Sequence, residues 1–292
     1  MVTEICVLAP AKVNFNLRVL PELRNGFHDI ESIFQTVSLA DQLNVSRTEQ
    51  DCVCTVSCDS MRLPEKNTIT SSYEAFCSVT GRSVPGISVK LTKRIPSGGG
   101  LGGGSSDAAA LVRALEQISG IPLSVPQKEE IAARVGSDVF FFLLCGEEGC
   151  AVVSGRGEIV KPIRARTDLH VLLVFPGVQS PTKRAYALVD EYFASGKTVV
   201  CPAYTDLETM YKSPVSSWRF ANSFTPSLEN CFPEVGRALN DVRSAGASYG
   251  EMSGSGSTVY GVFPSEREAE NACCVLAERW KGCAVVRPFC DR

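Results

Sequence analysis

Apolar and polar residues alternate along the first part of the chain. Apolar side chains occupy the odd-numbered positions from Ile5 to Val19. The polar side chains between them belong to Lys12, Asn14, Asn16 and Arg18. Because successive side chains of a β-strand point to opposite faces, a period of two is typical of a strand with one buried face. The pattern therefore predicts a half-buried strand, interrupted near Pro10, with its polar row on the face opposite the core.

Strands and helices continue along the rest of the chain in mixed order. Alternating or apolar runs predict strands at 86–93, 169–175 and 257–263, and closely spaced glycines predict a hairpin within 146–160. Helical spacing predicts helices at 108–118, 124–134, 183–193, 233–244 and 266–280. Residues 197–224 show no clear period. Because strands and helices do not alternate strictly, the order favours an α+β fold over a doubly wound parallel sheet.

Length and composition narrow the class of protein. A chain of 292 residues can form one large domain or two smaller ones, and we expect two, at 1–160 and 161–292. A net charge of -3 without a long basic run disfavours a nucleic-acid surface. The longest apolar runs, 139–145 and 171–175, are too short to cross a bilayer, and the first residues lack a signal-peptide pattern. We therefore expect a cytoplasmic protein without nucleic-acid or membrane partners.

Thirteen cysteines are scattered between Cys6 and Cys290, and no two of them form a C-x-x-C pair. A zinc site needs thiolates at short loop spacing, and a disulfide framework is typical of small secreted chains. Neither description fits this sequence. We expect reduced cysteines that act as small buried hydrophobic residues.

The most informative segment is Pro96-Ser-Gly-Gly-Gly-Leu-Gly-Gly-Gly-Ser-Ser-Asp-Ala-Ala-Ala110, which joins a predicted strand to a predicted helix. Glycine lets the backbone approach an anion closely, and the N–H groups at a helix N-terminus point at such an anion. Ser105, Ser106 and Asp107 are suitable capping residues. A flexible linker would not join a clean strand to a clean helix. The segment therefore predicts a phosphate-binding loop.

Three familiar phosphate loops do not fit this segment. Gly98, Gly100 and Gly103 match the dinucleotide pattern, but no second strand ending in an acidic residue follows at the required distance. The Walker A loop requires Lys-Ser or Lys-Thr after its last glycine, and neither is present. The protein-kinase loop requires valine where this chain has Ser105.

The segment instead resembles the second motif of the galactokinase, homoserine kinase, mevalonate kinase and phosphomevalonate kinase (GHMP) superfamily. Residues 10–17 resemble its first motif and 252–258 its third, in the same order along the chain. Within the superfamily, 24–35 is similar to a stretch in the kinases that phosphorylate the 2-hydroxyl of 4-diphosphocytidyl-2-C-methyl-D-erythritol, in the methylerythritol phosphate route to isoprenoids. The shorter stretches 136–139, 155–158 and 176–178 are also similar to this branch.

The resemblance implies a fold, a nucleotide and a substrate. The implied fold is a two-domain GHMP kinase fold, with an N-terminal α/β domain that has a left-handed crossover and a C-terminal ferredoxin-like domain. The implied reactants are ATP, with Mg²⁺ as the ATP complex, and a cytidine diphosphate substrate. Metal ligands and the oligomeric state are left open.

The resemblance also assigns roles to residues. Lys12 would polarise the attacking hydroxyl and the γ-phosphate, and Asp138 would accept the hydroxyl proton. The implied ATP-binding residues are Pro96, Gly98, Gly99, Gly100, Leu101, Gly102, Gly103, Gly104, Ser105, Ser106 and Asn67. The implied substrate-binding residues are Asn14, Phe27, His28, Lys93, Tyr186, Gly254 and Ser255. Phe27 and Tyr186 would enclose the cytosine, and His28 would hydrogen-bond it.

The sequence departs from the family pattern at two positions, and two alternative functions remain open. Phe140 stands where many relatives have proline, and Asp107 stands where they often have asparagine. One rival is a kinase of the homoserine or mevalonate type, which gives no reason for Gly26-Phe-His28. The other is a non-catalytic nucleotide sensor, which would not need to keep Lys12 and Asp138.

Overall fold

The computed structural model describes residues 2–50 and 52–289, and the chain divides into two compact units. The first unit comprises the described residues up to Ala11, together with Leu39–Ser97 and Gly102–Glu147. The second unit comprises Lys12–Ser38, Gly98–Leu101 and the described residues from Glu148 onward. Each unit is therefore assembled from three separate stretches of the chain.

The described residues form strands and helices in mixed order, which confirms the α+β prediction. The strands are β1 (Glu4–Arg24), β2 (Phe27–Arg47), β3 (Cys54–Cys58), β4 (Ile87–Thr92), β5 (Cys150–Gly155), β6 (Ile159–Pro162), β7 (His170–Phe175), β8 (Tyr249–Met252), β9 (Val259–Phe263) and β10 (Gly282–Val286). The α-helices are α1 (Thr68–Thr80), α2 (Gly103–Ser119), α3 (Val125–Val135), α4 (Ser137–Cys145), α5 (Thr182–Ala194), α6 (Leu207–Lys212), α7 (Thr225–Cys231), α8 (Pro233–Ser244) and α9 (Glu266–Ala277). Short 3₁₀ turns lie at Tyr204–Asp206 and Val215–Ser217.

The first unit combines a piece of sheet with helices α1–α4. β3 runs parallel to β4, and β4 pairs antiparallel with the second half of β2. Because parallel neighbours need a long connection, the chain crosses from β3 to β4 through α1. The handedness of this crossover stays a prediction. α2 buries Ala108–Ala110 completely, and such small side chains allow neighbouring elements to approach closely.

Local capping accounts for the predicted helix ends in this unit. α2 ends at Gly120, whose φ of 68° lies in the left-handed region that glycine adopts without strain. α3 begins after Ser124, whose backbone N–H donates to Gln127 Oε1 at 3.0 Å. Both predicted helices are confirmed, although α2 starts at Gly103 rather than at Ala108.

The second unit contains a four-stranded antiparallel sheet. Its strand order is β10-β7-β9-β8. Helices α5–α8 lie between β7 and β8 in the chain, and α9 lies between β9 and β10. This βαββαβ sequence with its strand order is that of a ferredoxin-like fold. In the same unit, the predicted hairpin is present as β5 and β6, and β5 pairs antiparallel with the first half of β2.

β1 differs from its prediction in two ways. The strand is continuous from Glu4 to Arg24, with Pro10 inside it. Its polar row is not on an exposed face, because Lys12, Asn14 and Asn16 are all buried. The cover comes in part from residues 221–223, which pair with this strand: Leu17 N donates to Ala221 O at 2.9 Å, and Ser223 N donates to Leu17 O at 2.8 Å. The prediction of a half-buried strand was therefore wrong.

The segment 197–224, which has no sequence period, is an ordered part of the second unit. It contains α6 and places several aromatic rings in the core around Phe15. The Phe15 ring lies 5.1 Å from Trp218 and 5.9 Å from Tyr211, measured between centroids. Aromatic residues at irregular spacing bury much apolar area without producing a helical or strand period, so the pattern of the sequence did not reveal this cluster.

The apolar run 139–145 forms most of α4, which is nine residues long. Its apolar character reflects burial, since Val139, Phe141, Phe142 and Leu143 all lie in the core. None of the described helices combines the length and the apolar character that a membrane crossing needs.

The cysteines are less buried than expected. Among the cysteines that the structure describes, only Cys150 is buried, and Cys6, Cys52, Cys231 and Cys274 are exposed. Cys290 lies outside the described residues. The expectation that the cysteines act mainly as buried hydrophobic residues was therefore wrong.

The Tyr211 hydroxyl provides a test of the 197–224 segment. It donates to Gln35 Oε1 at 2.6 Å and accepts from the Arg166 N–H at 2.7 Å, inside the core. Tyr211→Phe leaves both groups without this partner, so we expect the free energy of unfolding to fall by about 1–3 kcal/mol in urea titrations. Tyr204→Phe, in a partly exposed ring of the same segment, is the matched control. Equal stability of the two variants would show that the Tyr211 hydroxyl does not stabilise the fold.

Candidate active site

The glycine loop uses left-handed backbone at every second position. Gly98, Gly100 and Gly102 have φ values of 70°, 76° and 69°. At Gly100 a Cβ atom would lie 2.1 Å from Ser253 O, so the loop and the third motif approach too closely for any side chain. Lys12 N donates to Leu101 O at 2.9 Å, which ties this part of the loop to β1.

The third motif is held against the same part of the loop within the second unit. Ser253 Oγ donates to Gly100 O at 3.0 Å and accepts from the Asn14 N–H at 3.3 Å. Thr258 N donates to Gly99 O at 3.2 Å, and a Cβ on Gly254 would lie 2.6 Å from Gly100 O. The structure therefore brings together the first motif, residues 98–101 and the third motif.

Lys12 lies at the centre of this arrangement and is only 3% exposed. Its Nζ donates to Asn14 Oδ1 at 2.5 Å and lies 4.5 Å from the centroid of the Phe34 ring. Asn14 Nδ2 in turn donates to Ser32 Oγ at 3.0 Å. An ammonium group in such a setting is held in one place by hydrogen bonding and by the ring, which suits it to contact a bound anion.

Asn222 was not singled out in the sequence, yet it holds the third motif. Its Nδ2 donates to Met252 O and to Gly254 O, both at 2.8 Å. Its Oδ1 accepts from Phe224 N at 2.9 Å. Both polar atoms of this buried side chain are hydrogen-bonded to main-chain groups. Asn222 is therefore a positioning residue for the loop that contains Gly254.

The residues expected at the base lie in the second unit, with His28 on β2 and Tyr186 on α5. The two rings are stacked, with centroids 5.9 Å apart and planes 7° apart. Phe27 is 51% exposed, and the Arg156 guanidinium lies 3.8 Å from the centroid of its ring. Arg156 belongs to the 155–158 stretch that the sequence indicated, although its role was not foreseen. Ser255 Oγ lies 3.2 Å from Thr182 Oγ1, at the start of α5.

In the first unit, Lys93 is held between two aspartates. Its Nζ lies 2.5 Å from Asp41 Oδ2 and 2.7 Å from Asp107 Oδ2. A Cβ on Gly103 would lie 3.0 Å from Lys93 Nζ and from Ile95 Cγ2, so a side chain there would require these groups to shift. Through Asp107, the Lys93 amine supports the start of α2. The contact of Lys93 with substrate stays a prediction.

Two carboxyl groups share this one amine, and the pKa of Asp107 is shifted in this setting. Burial raises the pKa of Asp107 to about 7, and the charge of Asp41 adds to the rise, while Lys93 opposes it. Burial alone would lower the pKa of Lys93, but the two carboxylates outweigh it and raise that pKa. Asp107 Oδ1 and Ser106 Oγ are buried and have no hydrogen-bond partner among the described residues.

Asp138 and Asn67 both lie at helix starts in the first unit. Asp138 is in the first turn of α4, after Gly136, where a carboxylate interacts favourably with the helix dipole. Asp138 is therefore held on a helix. Asn67 caps α1, with its Oδ1 accepting from Ile69 N at 3.0 Å and from Thr70 N at 3.1 Å. Its implied role in ATP binding stays a prediction.

The raised pKa of Asp107 gives a pH-dependent prediction. Its unfolded carboxyl ionises near pH 4, whereas the folded one keeps its proton to about 7. Its contribution to stability is therefore complete below pH 4 and is lost as the pH rises through 7. Asp107→Asn cannot ionise, so its stability relative to wild type should increase by roughly 2–3 kcal/mol between pH 5 and pH 8.

Unfolding titrations at both pH values measure this difference. Asp59→Asn, at an exposed aspartate of the same unit, is the control and should follow wild type. Identical pH dependence in wild type and Asp107→Asn would show that the Asp107 carboxyl is already ionised in the folded protein at pH 5.

Two family models match the chain. The model described as GHMP kinases N terminal domain matches residues 67–146, and the model described as GHMP kinases C terminal matches residues 206–282. The predicted domain boundary at residue 160 lies between these ranges, and its position stays a prediction.

Two bacterial proteins are similar in sequence to this chain over most of its length. The 4-diphosphocytidyl-2-C-methyl-D-erythritol kinase of Treponema pallidum is 41% identical over 290 residues, which cover 97% of this chain and 98% of the relative. The corresponding protein of Thermotoga maritima is 38% identical over 259 residues, covering 88% and 91%.

Two solved structures are similar to the structure of this chain over most of its length. A crystal structure of 4-(cytidine 5'-diphospho)-2C-methyl-D-erythritol kinase matches with a TM-score of 0.79 and 28% identity, covering 98% of this chain and 100% of the other. Homoserine kinase from Cytophaga hutchinsonii matches with a TM-score of 0.71 at 21% identity, covering 98% and 95%, and shows the fold alone. The chain belongs to the 4-diphosphocytidyl-2-C-methyl-D-erythritol kinase family of the GHMP kinases.

Proposed function

We propose that this protein transfers the γ-phosphoryl group of ATP to the 2-hydroxyl of 4-diphosphocytidyl-2-C-methyl-D-erythritol, in the methylerythritol phosphate route to isoprenoids. The observation that carries the proposal is the hydrogen-bonded junction of three motifs around Lys12, through Leu101 O, Asn14 and Ser253 Oγ. The names of relatives at 41% and 38% identity support the choice of substrate.

ATP is assigned to the glycine loop. Its left-handed glycines allow the backbone to approach an anion closely, and the dipole of α2 favours phosphate at its N-terminus. The buried Ser106 hydroxyl, which has no partner among the described residues, is a fitting donor or acceptor there.

Mg²⁺ fits this chain as part of the ATP complex. The described residues include no group of three or more His, Cys, Asp or Glu side chains that could hold a metal ion. Hydroxyl and phosphate oxygens are ligands that Mg²⁺ accepts, so Ser106 would hold the ion together with the nucleotide. The ion would neutralise charge on the transferring phosphoryl group.

The chemical step needs charge neutralisation and a proton acceptor. Lys12 supplies the positive charge, held in place by Asn14 and Phe34. Asp138, in the first turn of α4, accepts the proton of the attacking hydroxyl. The cytosine binds at Phe27, His28 and Tyr186, where aromatic faces and ring nitrogens provide stacking and hydrogen bonding.

The two chemical roles are tested separately. Lys12→Ala and Asp138→Asn should each lower kcat by about two orders of magnitude or more, because each removes a contact that acts in the transition state. The Kd for ATP should change little, since the glycine loop is untouched. Lys197→Ala and Asp59→Asn, both at exposed positions, are the controls. Turnover near the wild-type rate in either active-site variant would remove that residue from the mechanism.

The base site is tested through substrate KM. Tyr186→Ala and His28→Ala should raise KM for the cytidine substrate by the equivalent of roughly 1–3 kcal/mol, the usual loss for an aromatic or polar base contact. KM for ATP should stay close to the wild-type value, because ATP is assigned to the glycine loop. Tyr192→Ala, on the same helix, is the control. An unchanged KM for the cytidine substrate in both variants would contradict this site.

A further inference from the structure

Both ring nitrogens of His28 face acceptors. Nδ1 lies 2.6 Å from Leu20 O, and a carbonyl oxygen can only accept, so Nδ1 carries a hydrogen and donates. Nε2 lies 2.7 Å from Asp190 Oδ1. One edge of the ring is therefore occupied by the fold itself, and only the Nε2 edge remains to read a ligand. That edge is shared with Asp190.

Asp190 lies on α5, four residues after Tyr186. This spacing places the two side chains on one face of the helix, and Tyr186 is stacked on the His28 ring. The side chains differ in exposure: His28 is 6% exposed and Asp190 is 55% exposed. The polar group that this trio presents to an incoming base is therefore the Asp190 carboxylate as well as the histidine.

A carboxylate discriminates between pyrimidines. Cytosine carries a 4-amino donor, which a carboxylate accepts, beside the N3 acceptor. Uracil carries an oxygen at position 4 and a hydrogen on N3, so a carboxylate at position 4 would face another acceptor. An ionised carboxylate has no hydrogen to donate, and a buried or half-buried pair of acceptors is unfavourable.

We propose that Asp190 is a specificity-determining residue of the base site, whose carboxylate accepts a hydrogen bond from the cytosine 4-amino group and orients His28 toward N3. The proposal rests on the proposed function, because it assumes that a cytidine substrate binds at His28 and Tyr186. In the doubly protonated form of His28 both ring nitrogens donate, and Nε2–H, which faces Asp190 in this structure, is free to donate a hydrogen bond to N3 of cytosine when the carboxylate turns to the amino group. The pair then matches the donor and acceptor order of cytosine and opposes that of uracil.

The test compares two substrates, 4-diphosphocytidyl-2-C-methyl-D-erythritol and its uridine counterpart, in wild type, Asp190→Asn and Asp190→Ala. Wild type should prefer the cytidine substrate in kcat/KM. Both variants should lose roughly 10- to 100-fold of kcat/KM on the cytidine substrate, mainly through KM, the usual range for a lost base contact. Their kcat/KM on the uridine substrate should hold or rise, so the selectivity ratio should fall at least tenfold.

Glu191→Gln is the matched control, since Glu191 is the neighbouring exposed acid on α5 and should keep the wild-type ratio. A merely structural role for Asp190 would lower activity on both substrates equally and leave the ratio unchanged. Wild-type turnover of the cytidine substrate with an unchanged ratio in both variants would overturn the Asp190 proposal alone. Failure of the wild-type enzyme to phosphorylate the cytidine substrate would overturn the proposed function and this inference with it.

Discussion

The buried polar row of β1 is the constraint on which the second unit depends. Lys12, Asn14 and Asn16 lie in the core, and a buried polar group without a partner costs about 1–3 kcal/mol. Their partners come from distant parts of the chain: Ser32 on β2 accepts from Asn14, and Ala221, 205 residues after Asn16, donates to its Oδ1. The hydrogen bonds of this polar row therefore fix how β2 and the segment around Ala221 pack on β1.

The same hydrogen bonds create the candidate site. Residues 98–101 are joined to β1 through Lys12 N, and the third motif is joined to both through Ser253 Oγ. Asn222 then fixes the far side of the third motif by donating to Met252 O and Gly254 O. Stability and chemistry thus rest on one network, so a change at any of these groups is expected to affect both.

Local signals predicted much of the fold, and long-range burial could not be predicted. The capping residues Ser124 and Gly120 marked helix ends, and the glycine run marked the loop before α2, because these depend on neighbouring residues only. The burial of the β1 polar row depends on residues 221–223, which carry no period. The position of Asp190 one turn after Tyr186 was visible in the sequence, but its pairing with His28 across 162 residues was not.

In the proposed function, the Lys12 network serves phosphoryl transfer to a cytidine-containing alcohol. The most direct measurement is ADP release by the wild-type protein with ATP and 4-diphosphocytidyl-2-C-methyl-D-erythritol, homoserine or mevalonate, with the position of the new phosphate determined by phosphorus NMR. We expect efficient ADP release with the cytidine substrate alone and a phosphate on its 2-hydroxyl. Faster release with homoserine or mevalonate, or no release with any of the three, would contradict it.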